Sequence, residues 1–150
     1  MALSAGQIPK LANVLNGGVA VLTGTTIGTL GSNTNGVTGY TAGSQGGRVI
    51  SILGTTDDTA TINVYVYILR SSTVLPIGMV NIPLRSGDTN AARFPVDFLN
   101  GTNLPGLPVD NTGRQYISLL AGDVLRFTTL VNLNSAKYAY ITVSGLDYQA

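Results

Sequence analysis

Seven aspartates are the only acidic side chains in this 150-residue chain, which has no glutamate, histidine or cysteine. The chemistry open to it is correspondingly narrow, because general acid–base catalysis and thiolate or zinc chemistry draw on the missing residues. Asp57-Asp58 is the one adjacent carboxylate pair. A calcium ion would need about six to eight oxygen ligands converging on it, whereas Asp in a TTDDT segment is favoured for bonding its own backbone, which predicts a turn. Asp110-Asn111-Thr112-Gly113 begins like a calcium loop but lacks the later spaced ligands and the closing Glu, and it too predicts a turn. Ser135 and Lys137 form the only close Ser–Lys pair. A lysine base must be desolvated to lose its proton near neutrality, and a turn beside a strand does not desolvate it. No phosphate-binding loop and no nucleophile elbow is present; the Gly-rich stretch 23–47 lacks the lysine and the following helix that phosphate cradling uses. These residues predict a chain that is not an enzyme, with no catalytic residue, no cofactor and no metal.

Charge excludes further classes. The net charge is +1 with 10% charged residues, and six arginines and two lysines are scattered singly, so nothing gathers a polyanion and nucleic acid is not an expected partner. The opening MALSAGQIPK has no basic n-region, and the apolar run after it is broken by Asn13, Asn16, Gly17 and Gly18, so neither a signal peptide nor a membrane span is predicted. Low charge combined with 44% hydrophobic residues suits a surface that lives against a partner.

The elements that would present such a surface are strands. TINVYVYILR (61–70) alternates strictly, with Ile62, Val64, Val66 and Ile68 on one face and Thr61, Asn63, Tyr65 and Tyr67 on the other. RVISILG (48–54) is a strand before it, and TTDDT between them predicts an antiparallel hairpin. TVLPIGMVNIPL (73–84), with Pro76, Gly78 and Pro83, fits an edge or bulged strand, and ARFPVDF (92–98) a short edge strand. A long loop over 100–113 leads to RQYISL, a tight turn at 120–123, VLRFTTLV (124–131), a turn at Asn134-Ser135 and KYAYITVSGLDY (137–148). Turns every 8 to 12 residues without a sustained helical period predict an all-β antiparallel β-sandwich over 47–150, jelly-roll-like or immunoglobulin-like. The one helical candidate is 4–16, with Pro9 early in it.

Residues 1–46 differ. From 23 to 47 the chain is uncharged and rich in Gly, Thr, Ser and Asn, too poor in apolar area to offset its own ordering entropy. It is expected either as an extended N-terminal arm that borrows a neighbour's surface, with Val19, Val21, Ile27 and Leu30 as pegs, or as the first strands of the same sandwich. Tyr138 and Tyr140 repeat the Tyr-x-Tyr pattern of Tyr65 and Tyr67. If all four share one sheet, they pave its outer face and form an interface of a homo-oligomer, a trimer as first guess; the alternative is that they shield one another across strands.

The block LPVDNTGRQYISLLAGDVLRFTTLV (107–131), followed by KYAYITVSGLDY, resembles the C-terminal part of small virion structural proteins of tailed bacteriophages, of the head decoration or cement type; the likeness spans about residues 48–148. What this resemblance implies is a non-enzymatic protein made in the host cytoplasm and docked in many copies on a capsid surface, with itself and the major capsid protein or another virion protein as partners. The rival expectation is a glycan-binding module of a phage head or tail fibre, in which exposed tyrosines replace the tryptophan that such sites commonly use.

Overall fold

The computed structural model describes residues 14–88 and 94–149. Among the described residues nine strands form two antiparallel sheets: β1 (Val14–Leu22), β2 (Val37–Thr41), β3 (Gly47–Thr56), β4 (Ile62–Arg70), β5 (Thr73–Ile82), β6 (Val96–Asp97), β7 (Ile117–Leu119), β8 (Val124–Thr129) and β9 (Ala139–Asp147). Sheet I has the order β1-β9-β3-β6, with β7 also paired to β3; sheet II has the order β2-β8-β4-β5. Strands β6 and β7 occupy successive stretches of one edge of β3, at Leu53–Gly54 and Gly47–Val49. Counted as one split strand, they complete an eight-strand jelly roll.

Alternation builds the core. Ala20, Leu22, Val49, Ile52, Ile141 and Val143 point inward from sheet I and meet Val64, Val66, Val80, Ile82, Leu125 and Phe127 from sheet II. Phe98 and Phe127 close it edge to face, with ring centroids 6.3 Å apart.

Several expectations change. β3 and β4 are not a hairpin: they lie in different sheets, and TTDDT carries the chain across. Only β4 and β5 follow one another in sequence and pair directly within one sheet. There β5 is the edge strand, with Ile77 bulged between the partners of Val66 and Tyr67, as Pro76 and Gly78 require. Of the two expectations for residues 1–46, residues 14–46 take the second. β1 pairs along its whole length with β9, β2 pairs with β8, and Ala20, Leu22, Tyr40 and Ala42 are buried. The physical reason is that sparse apolar residues suffice when strand edges of the same domain complete them. Of the helical candidate, 14–16 is strand and 4–13 lies outside the described residues.

Candidate interaction surface

The four tyrosines separate. Tyr65 and Tyr67 are on β4 in sheet II, 2% and 0% exposed, and stack at 5.2 Å. They are therefore not an interface: residues 23–36, between β1 and β2, fold over that face as a strap. Gly31 N–H donates to Tyr65 Oη at 3.3 Å, and Tyr67 O–H donates to Asn33 Oδ1 at 2.8 Å. Asn33 Oδ1 also accepts from Arg126 Nη1 at 2.7 Å, and Arg126 Nη2 donates to the Gly36 carbonyl. Gly28 N–H donates to the Thr129 carbonyl at 2.8 Å, so Ile27 holds the strap to the end of β8 while Leu30 stays exposed at its tip. Burial raises the pKa of the Tyr67 phenol, with the Arg126 charge acting against the rise. Sequence reasoning missed this cover because the strap holds the tyrosines through backbone and amide groups and offers no apolar run.

Tyr138, just before β9, and Tyr140, on β9 of sheet I, are 40% and 43% exposed and stack on each other at 6.2 Å. Val19 and Val21 lie on the same outer face, with Leu15 and Leu53. Across β1, β9 and β3 this face carries one charge, Arg48 at one end. At the other end, beside Tyr140, a cavity of about 140 Å³ is lined by Thr55, Thr56, Asp57, Gly87, Asp88 and Tyr140.

Four aspartates, Asp58, Asp110, Asp123 and Asp147, tie the fold together. Asp58 is fully buried; Asn134 N and Ala60 N donate to it at 2.8 and 2.9 Å, and Asn134 Nδ2 at 2.5 Å. Burial raises its pKa, but these hydrogen bonds outweigh burial and hold the carboxyl below its ordinary value. Arg70 grips Asp123 through Nε at 2.9 Å and Nη2 at 2.6 Å, and with the Leu120 N–H lowers its pKa. Asp110 closes the 110–114 turn, accepting from Thr112 Oγ1, Thr112 N and Arg114 N. Asp147 accepts from Tyr40 Oη at 2.6 Å and from Asn16 Nδ2 at 2.8 Å, tying β1 and β2 to β9. Lys137 Nζ lies 3.9 Å from Asp57 Oδ2. Among the described residues no three acidic side chains converge on a common point, and no helix is long and apolar enough to cross a membrane.

What the arrangement can do is bind: it presents an uncharged, tyrosine-bearing sheet face with charges only at its ends. No family model matches the chain, and neither a curated protein nor a solved structure does.

Proposed function

We propose that the protein is a non-enzymatic virion structural protein that decorates or cements the capsid of a tailed bacteriophage through contacts with itself and with the shell. The observation that carries the assembly part is the outer face of sheet I, where Leu15, Val19, Val21, Leu53 and Tyr140 stand exposed together around a nearly charge-free sheet. Water-facing sheets normally alternate apolar-in with polar-out, and apolar residues on both faces mark a surface that is covered in use. The virion part is supported by the resemblance of residues 107–148. Repetition over a lattice multiplies modest contacts into high avidity. Immunogold labelling of intact particles of the encoding virus, with an antibody to the recombinant protein, tests it: gold distributed over the head supports decoration, and bare heads overturn it.

One observation favours a second reading. The cavity beside Tyr140 brings an aromatic residue together with Asp57 and Thr55, residue types that stack on a sugar ring and bond its hydroxyls. A glycan-binding module would show saturation transfer from the protein to simple hexoses, lost in Tyr140→Ala.

A further inference from the structure

The outer face of sheet I is a grid whose rows follow from its register. Tyr140 stands level with Val21 on β1 and Thr55 on β3, and Thr142 with Val19 and Leu53. Ser144 stands level with Gly17 and Ser51, and Leu146 with Leu15 and Arg48. On β1 and β9 the row on one side of Thr142 is bulky and the row on the other side is small; on β3 the small row ends at Ser51, beside the bulged and exposed Ile50. Charge is placed with the same spacing. Thr142 lies midway along β9 between Leu146, level with Arg48, and Tyr138, whose N–H donates to Asp57 Oδ1 at 2.8 Å. Arg48 and Asp57 both lie on the line of β3, one before each end of the face.

We infer that a second copy of the chain docks face to face on this sheet, about a two-fold axis lying in the interface and crossing the strands at the level of Thr142. Such an axis keeps β1 over β1 and β3 over β3 while reversing strand direction. It sets Tyr140 against Ser144 and Val21 against Gly17, so these two large side chains each meet a small one, twice, while Val19 and Leu53 meet their own copies at the axis and Tyr138 faces Leu146. The same operation brings Arg48 over the partner's Asp57 at both ends. Arg48 is short of such a group in its own subunit: Nε is buried without a hydrogen bond, the guanidinium lies 5.9 Å from the centre of the Tyr116 ring, and it makes no ion pair among the described residues. It acts on Asp110 only through space. Asp57 Oδ2, 3.9 Å from the Lys137 ammonium, is beyond a hydrogen bond and has room to accept one. An axis along β9 instead stacks Arg48 near Arg48 and Tyr140 on Tyr140, which charge and bulk both disfavour.

Three strands about 4.8 Å apart and about 30 Å long give a footprint of roughly 400 Å² per copy, about half that of a standard interface. The dimer is therefore weak in dilute solution, dissociating at tens to hundreds of micromolar on the order-of-magnitude scale of affinity, and becomes dominant where copies are concentrated on a lattice. The inference rests on sheet I being an assembly surface and not on the virion assignment, so its test uses the isolated protein.

Because the chain has no cysteine, single cysteines report on the geometry. Thr142→Cys and Leu53→Cys each sit against themselves at the axis and are expected to form disulfide-linked dimers under mild oxidation. Tyr140→Cys and Ser144→Cys are expected to stay monomeric alone and to cross-link when mixed, with Thr112→Cys in an exposed turn as background. In sedimentation between about 20 and 500 µM, the unaltered protein is expected to rise from monomer to dimer. Arg48→Asp and Asp57→Arg each weaken association roughly tenfold by opposing like charges, and the equimolar mixture of the two restores it, since both contacts become complementary again. A protein that remains monomeric at the highest concentration, with Thr142→Cys no more cross-linked than Thr112→Cys, overturns the proposal and leaves the shell protein or a saccharide as occupant. A trimer, or a dimer insensitive to both charge variants and cysteine placement, overturns it in favour of another face.

Discussion

Asp58 shows how one buried carboxylate can decide a connection. It satisfies N–H groups of Ala60 and Asn134 at once, while its own carbonyl accepts from Arg85 N at 2.8 Å, so the β3–β4, β5–β6 and β8–β9 connections meet on one residue. Asp58→Ala removes three hydrogen bonds to a charged acceptor at once and is expected to cost about 3 kcal/mol, read as a lower denaturant midpoint at unchanged slope. The pH dependence follows from the same groups. Asp58 and Asp123 titrate below their ordinary value of 3.8 in the folded chain. The unfolded chain therefore binds protons more readily, and acid favours unfolding. Their contribution is complete above the unfolded value and disappears as pH falls through the lower folded values. With no histidine in the chain, stability is expected to be flat from about pH 5.5 to 8 and to fall below about pH 4; thermal unfolding across that range checks it, and a transition centred near pH 6.5 contradicts it. The sequence marked Asp57-Asp58 as a turn, but no local signal distinguished the buried latch from its exposed neighbour, because the difference is made by Asn134 far along the chain.

At the scale of elements, period-two alternation identified the long strands from residue 48 onward and their inward faces, though not β1 and β2, and Pro76 with Gly78 identified the irregular edge. Sheet membership was not legible: alternation says which side chains are buried, not which strand lies beside which. The same limit explains Tyr65 and Tyr67. An outward residue of β4 is solvent-facing only if nothing lies on top, and what lies on top is a polar strap from elsewhere in the chain. Gly36 is where the strap passes closest, since a Cβ there would stand 1.7 Å from the Tyr67 hydroxyl and 2.9 Å from Cζ. Gly36→Ala is therefore expected to push the strap off Tyr67, breaking the Asn33 bond and destabilising by about 1–3 kcal/mol. Increased protease cleavage within 23–36, with the sandwich intact by circular dichroism, would show the strap loosening ahead of the core. Tyr65→Ser/Tyr67→Ser is expected to lower the melting temperature and leave self-association per folded molecule unchanged, whereas Tyr140→Ser is expected to weaken association and spare stability; comparing melting with sedimentation separates the two.

For the whole molecule, the N-terminal strands are structural partners of the last two. Removing residues 1–46 strips β1 from β9 and β2 from β8, leaving both strands as open edges and uncovering the inward side of the core. Such a truncated chain is expected to be insoluble or to melt without a cooperative transition; a sharp thermal transition from soluble protein would show that β3 to β9 are sufficient alone.

The pairing of β1 with β9 also fixes an order of events during synthesis. Val14 aligns with Asp147 and Leu22 with Ala139, so β1 must wait for β9 to be made. At bacterial-to-eukaryotic elongation rates of roughly 5–20 residues per second, β1 spends on the order of 6–25 s without its partner. The nascent chain passes that interval with an uncharged, valine-bearing segment unpaired, and the sandwich closes only once β9 has emerged.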